Sequence, residues 1–454
     1  MIFQYLNSIF FLKGKSKRTK KALLNVFVSV FFKFIRILIG FILVPISIDY
    51  LGSTGYGIWL TIFSVFMWMQ ILDVGLGNGL RNRLAEAIAK GDIYKAKVYV
   101  STSYFLLLII VSLIFVFCVI IYPLVNWGKL FNAPQELWSQ VNKTVFFMFI
   151  FICLQFFLQL ILRVCQANQD PAYREVMDAF SGLVLLLFVY LLYKYTSSSL
   201  VYYSIAVGLA SVIIFFVFTV ILFKTKYKQF SPSIKFIKIE CIKDIANLGI
   251  TFFIIQLGGI VIYSTDNFLI SHLASPKDVT VVNIAKRYFN IIFIGFLTIL
   301  SPLWSAVTDA FNRGDLPWIK RAVNKLTKLW GLMVICIILM LIFSNYFYHL
   351  WIGERVLVPF SISFIIAVLV LLRTFGAIFA HVINGFGFLR VQMINAIIGA
   401  IINIPLSIFL AKTLKMGALG VIFSTVIILS IGIILRFIQY HKIINNRAKG
   451  IWIK

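Results

Sequence analysis

Acidic side chains are scarce in this chain. Only 15 Asp and Glu stand against 42 Lys and Arg in 454 residues, and charged residues make up 13% of the sequence. With 61% hydrophobic residues and a mean hydropathy of +0.99, that scarcity excludes an ordinary soluble enzyme. Cysteine is sparse too: Cys118, Cys153, Cys165, Cys241 and Cys336 lie mostly inside or beside apolar runs, without CxxC spacing. Neither a disulfide framework nor a zinc site is implied. The histidines His272, His349, His381 and His441 are scattered, with no Ser, Cys or carboxylate pair at catalytic spacing, so no enzyme and no cofactor is expected. A glycine run at 75–79 ends an apolar stretch without the strand and crossover of a nucleotide site, and reads as packing glycines.

What the chain has in abundance is long apolar runs. Many last about twenty residues, enough for helices to cross a bilayer and unlike the short alternation of barrel strands. Twelve spans are expected, near 22–48, 58–80, 98–122, 144–163, 176–195, 200–223, 248–270, 284–306, 327–345, 359–382, 391–411 and 416–439. The net charge of +27 follows these spans and does not mark a nucleic-acid partner. About 29 basic residues fall on the side of the termini, about 7 on the other and about 6 inside spans, which puts both termini in the cytoplasm. Met1–Leu12 is apolar but precedes its basic cluster, the reverse of a secretory signal, and reads as a cytoplasmic segment.

Two Gly-Asp pairs, Gly91-Asp92 and Gly314-Asp315, stand 223 residues apart, close to half the chain. Nearly the same offset superposes Tyr50-Leu51-Gly52-Ser53 on His272-Leu273-Ala274-Ser275. A common offset points to a duplicated six-helix unit, and because six is even both copies enter the membrane in the same sense. The expected organisation is a basic N-terminus (1–21), a first half (22–223), a Lys-rich linker (224–247), a second half (248–439) and a basic tail (440–454). The fold class is then an all-α polytopic membrane protein, with about twelve transmembrane helices in two parallel six-helix repeats around a central cavity.

Charge inside the spans marks the candidate site. Asn25, Ser29, Lys33, Arg36 and Gly40 follow helical spacing along the first span, so its polar and small residues share one stripe. A charge at mid-membrane costs at least about 2.5–3.5 kcal/mol, so this stripe is expected to face protein interior or water rather than lipid. Two readings stand. Lys33 or Arg36 pairs with Asp73 or Asp266 as a structural clamp, or the surplus positive charge, with Arg373, awaits an anionic ligand such as a diphosphate. Gln155, Gln159 and Arg163 recur at steps of four in the fourth span, lining a cavity or bonding between helices. Asp266, beside Gln256, Gly258, Gly259, Tyr263 and Asn267, is a counter-charge or a carrier of a coupling proton or sodium ion. Pro45, Pro302 and Pro405 mark sites where helices bend.

Two stretches carry a family resemblance: Val-Pro-Ile-Ser-Ile-Asp-Tyr-Leu-Gly-Ser-Thr-Gly-Tyr-Gly-Ile-Trp at 44–59, and Leu-Asp-Val-Gly-Leu-Gly-Asn-Gly-Leu-Arg-Asn-Arg-Leu-Ala-Glu-Ala-Ile-Ala-Lys-Gly-Asp at 72–92. With the echo at 308–328, the chain resembles the bacterial flippases of O-antigen and capsule repeat units. Their superfamily also holds lipid II flippases and multidrug and toxin extrusion exporters. The resemblance implies transport of an undecaprenyl-diphosphate-linked oligosaccharide from the cytoplasmic to the periplasmic leaflet of the bacterial inner membrane, by alternating access. It implies a cavity lined by cations, matched here by Lys33, Arg36 and Arg373, and functional neighbours among glycosyltransferases and a polymerase. A drug or metabolite antiporter on the same scaffold is the first alternative, but cationic cargo prefers acidic cavity residues. A membrane glycosyltransferase or polymerase is the second. It needs paired acids near an outside loop or a large periplasmic loop, and the stretch from Asp49 offers neither.

Overall fold

A computed structural model describes residues 17–68, 76–242, 265–300 and 303–453. Helices dominate, and no strand occurs among the described residues, as a bilayer requires of chains that must satisfy their own backbone groups. The long first helix α1 (Lys17–Met67) is followed by α2 (Leu76–Ala89), α3 (Ile93–Ile121), α4 (Trp138–Leu158), α5 (Ile161–Ala167), α6 (Ala172–Tyr195) and α7 (Leu200–Lys224). Later come α8 (Asp266–Leu273), α9 (Pro276–Leu300), α10 (Leu303–Asn312), α11 (Leu316–Ile342) and α12 (Ser344–Ile352). The last three are α13 (Phe360–Phe386), α14 (Arg390–Ile408) and α15 (Gly417–Ile444).

Ten stretches among the described residues are long and apolar enough to cross a membrane. One, Leu24–Met67, takes in the expected first span and the start of the second. It is not one straight rod: Gly52 has φ 71° and ψ 165°, a conformation open essentially to glycine alone, and the helix turns there. The other nine stretches fall on the expected spans three to six and eight to twelve. The expected seventh span lies outside the described residues except for 265–270.

The described residues fall into two compact units. One consists of 17–51, 76–130 and 134–242, the other of 52–68, 131–133, 265–300 and 303–453. The bend at Gly52 therefore sends the second arm of α1 into the unit built mainly by the later helices. There Gly57 meets the backbone of Pro276 so closely that any Cβ would collide, and Thr280 Oγ1 donates to the Ser53 carbonyl at 2.7 Å.

Within each unit the Gly-Asp pair makes the same turn. Gly91 and Gly314 have φ 72° and 75°, and each following Asp caps the next helix. Asp92 Oδ1 accepts from Lys95 N at 2.9 Å, and Asp315 Oδ1 from Trp318 N at 3.0 Å. Asp92 N donates to the Ala87 carbonyl as Asp315 N does to that of Ala310. The packing repeats as well: Leu80, Leu84, Ala87, Ala96 and Val100 are buried in the first unit, and Leu303, Val307, Ala310, Ile319 and Val323, each 223 positions later, are buried in the second. The sequence offset is thus an offset in hydrogen bonds and in core positions.

In the first unit α1 lies along α6. Ile39 packs on Gly182, the Phe32 and Phe180 rings are 6.2 Å apart, and Ser47 Oγ and Tyr203 Oη of α7 share a 2.8 Å hydrogen bond. At the opposite end, buried Asp170 takes Lys226 Nζ at 2.8 Å and the Tyr227 hydroxyl at 2.9 Å. Burial pushes the Tyr227 phenol well above its usual range, so it stays a donor.

Candidate functional site

The polar stripe of α1 is on a flank of the helix. Val26, Phe27, Val30, Phe31, Phe34, Leu38 and Ile42 form a broad exposed apolar face, while Val28 and Ile39 are buried. Between these faces Lys33 and Arg36 are half-buried, and Asn25 is buried. Asn25 Nδ2 donates to the Gln169 carbonyl at 2.8 Å, tying the start of the stripe to the turn before α6.

Arg36 finds its described carboxylate partners on α6, while Asp73 lies outside the described residues and Asp266 holds Lys286. The Arg36 Nη1 donates to Asp178 Oδ2 at 2.9 Å and lies 3.5 Å from Glu175 Oε2, both on α6, where three-residue spacing puts the two acids on one face. Arg174 Nε stands 3.9 Å from the same Asp178 oxygen. Asp178 stands near the end of its span, and its link to α1 joins residues 142 positions apart, which leaves no local signal in the sequence. The pair is not sealed: the Arg36 side chain is 39% exposed. Both described carboxylate contacts use Nη1, one nitrogen of a planar fork with five N–H donors.

The stripe expected along the fourth span is interrupted. α4 ends at Leu158 and α5 starts at Ile161, because amides across the junction bond three residues back instead of four: Leu160 N to the Phe157 carbonyl, Leu162 N to that of Gln159 and Arg163 N to that of Leu160. Gln155 and Gln159 are half-buried on either side of the helix end, and Arg163 Nη1 is 3.4 Å from Gln166 Oε1. Arg373 belongs to the second unit, on α13. Its guanidinium sits 4.1 Å from the centre of the Phe293 ring and donates to Asn290 Oδ1 at 3.4 Å.

Asp266 is buried in the second unit, where Lys286 Nζ donates to its Oδ2 at 2.7 Å and Thr425 Oγ1 to its Oδ1 at 3.1 Å. Behind Thr425, Asn403 Nδ2 contacts Ser424 Oγ at 3.4 Å, and Ser424 Oγ returns a bond to the Asn403 carbonyl. The carboxylate therefore already holds a cation of the chain itself. An ion coupled to transport through Asp266 has to compete with that ammonium. Asp73, Gln256, Gly258, Gly259, Tyr263 and Pro302 lie outside the described residues. No cluster of metal-ligating side chains occurs among the described residues, and Cys118, Cys153 and Cys165 are buried free thiols.

Apolar helices of spanning length that carry charged stripes define a multi-pass membrane protein. The fold is that of a MATE transporter: an inward-facing structure of a multidrug resistance MATE family transporter of the MOP superfamily matches with TM-score 0.75 and 17% identity, over 93% of this chain and 98% of that one. An outward-facing structure of such a transporter matches with TM-score 0.65 and 16% identity, over 97% and 99%. The polysaccharide biosynthesis protein family model matches residues 22–306, more than half of the chain, and the MatE model matches residues 248–409. The chain belongs to the polysaccharide biosynthesis protein family. A Salmonella typhimurium protein named as an O-antigen transporter is 22% identical over 393 residues, 84% of this chain and 87% of the relative. A Yersinia pseudotuberculosis protein named as an O-antigen export protein is 21% identical over 293 residues, 62% and 64%.

Proposed function

We propose that this chain moves an undecaprenyl-diphosphate-linked oligosaccharide from the cytoplasmic to the periplasmic leaflet of a bacterial inner membrane, supplying O-antigen or capsule assembly. The observation that carries this reading is the half-buried Lys33 and Arg36 pair, one helical turn apart on the flank of α1. A diphosphate carries more charge than either carboxylate of α6 and presents several oxygens. It competes for the guanidinium fork while Lys33 adds a second cation. The sugars travel in water within the protein, and the polyprenyl tail stays in lipid, since removing it would forfeit about 0.8 kcal/mol per CH2. Alternating access moves the head group, with a proton or sodium gradient biasing the cycle. Glycosyltransferases and a polymerase act before and after it.

The test is complementation in a strain lacking its own copy, with Arg36→Ala and Lys33→Ala compared with the parent. Protein level, surface polysaccharide and the leaflet holding the precursor are scored. Normal protein level with precursor trapped on the cytoplasmic leaflet supports the reading. Normal surface glycan in both variants removes the site assignment, and a precursor that never depends on this chain favours a drug antiporter.

A further inference from the structure

The linker after α7 offers a surface that the transport reading does not use. Residues 224–242 contain five lysines against the single acid Glu240, and Lys224, Lys228, Lys235 and Lys238 are exposed. Two isoleucines beside these lysines are among the most exposed apolar side chains of the chain, Ile234 at 88% and Ile239 at 72%. Exposure of that kind in a loose loop would mean little. This loop is not loose: Ser233 N donates to Ser101 Oγ at 3.1 Å, and Lys238 N to Thr102 Oγ1 at 3.0 Å, fixing the segment to α3. The Phe236 ring lies 5.6 Å from Tyr94, Lys97 Nζ sits 4.6 Å over Phe236, and Lys238 Nζ sits 5.4 Å over Tyr94. Tyr94 and Ile93 are themselves half exposed, at 56% and 52%.

Depth follows from the flanking helices. Leu200–Lys224 and Ile93–Leu124 are both long and apolar enough to span, and the linker leaves the end of the first and lies along the first three turns of the second, from Tyr94 to Thr102. A pinned segment at that level, with apolar tips between lysines, has the chemistry of a membrane-surface anchor. We propose that residues 228–239 dock on the cytoplasmic leaflet, with Ile234 and Ile239 entering the acyl boundary and Lys228, Lys235 and Lys238 meeting anionic phospholipid headgroups. Charge complementarity fits an anionic partner, and the exposed Ile234 and Ile239 at bilayer level select lipid over an acidic protein. The proposal rests on the topology with cytoplasmic termini and is independent of the cargo.

The test places an environment-sensitive maleimide label at Ile234→Cys in the full-length protein, with Cys241 and Cys336 replaced by Ser because the other three cysteines are buried. Nanodiscs of phosphatidylcholine alone are compared with nanodiscs rich in phosphatidylglycerol, using acrylamide as aqueous quencher and doxyl lipids as bilayer quenchers. The expected result is quenching by doxyl lipid, protection from acrylamide, and deeper insertion with phosphatidylglycerol. In Lys235→Gln/Lys238→Gln the inserted state should lose about tenfold or more of its population ratio. Full acrylamide access in both lipids would overturn the proposal, as would protection from both quenchers, which means cover by protein. Because no transport is measured, failure here leaves the cargo reading intact.

Discussion

Arg36 of α1 and Asp178 of α6 face each other with Nη1 2.9 Å from Oδ2, and Glu175 reaches the same nitrogen from 3.5 Å. The guanidinium is held in place at a depth where an isolated charge is costly, yet it stays 39% exposed. A half-exposed pair of this kind contributes about 1 kcal/mol, well below a sealed one. Asp178→Asn is expected to lower the thermal midpoint of the purified protein slightly, with a coupling to Arg36→Gln of about 1 kcal/mol in a double-mutant cycle. Purely additive effects would show that the contact holds nothing together.

Lys286 and Asp266 should behave differently, because the Asp266 side chain is only 3% exposed. Replacing Lys286 by Gln strands a buried carboxylate, at a cost of about 3–5 kcal/mol. Adding Asp266→Asn is expected to restore most of the lost thermal stability. If the double variant is no better than Lys286→Gln alone, the two groups do not act as a buried ion pair.

The repeated turns supply a symmetrical test. Asp92→Ala and Asp315→Ala each remove one cap bond of the same geometry, so each should cost about 1 kcal/mol, and the two should add. Midpoints measured by fluorescence-detected size exclusion decide it. A large loss at one site and none at the other would break the equivalence of the two hairpins.

Gly52 adopts φ 71° and ψ 165° with no neighbouring atom near the position of a Cβ. The cost of Gly52→Ala is therefore backbone strain alone, about 1–3 kcal/mol, without a packing clash. A fall in thermal midpoint of that size is expected, and an unchanged midpoint would mean that the bend tolerates an ordinary residue.

Expression of this chain should not raise resistance to cationic dyes such as ethidium, because the polar stripe of α1 is positive and repels such cargo. Several-fold higher resistance that disappears in Asp266→Asn would favour the drug-antiporter reading.

Much of the fold was legible because it rests on local signals. Apolar run length marked the spans, and Gly-Asp at 91 and 314 marked two turns whose caps and core positions do repeat at 223 residues. The stripe on α1 was legible for the same reason, since helical spacing alone collects Asn25, Lys33 and Arg36 on one flank. Partner choice was not. Asp178 and Lys286 lie near span ends with no local sign of a partner, and only the three-dimensional packing of α1 on α6 and of α8 on α9 gives them to Arg36 and Asp266. The break at Gln159 was hidden too, because no Pro or Gly announces it between Leu158 and Ile161. Nor did chain order show that residues after Gly52 pack with the second unit.

The most direct test of the central claim is translocation of a polyprenyl-diphosphate-linked oligosaccharide in proteoliposomes, read by the sugar's accessibility to an added lectin. Parent protein and Arg36→Gln/Lys33→Gln are compared at equal reconstitution. The expected result is rapid translocation by the parent and a loss of about tenfold or more in the double variant, which gives up two charge-assisted contacts with the diphosphate. Equal rates in the two proteins, or no translocation by the parent under an imposed proton or sodium gradient, would contradict it.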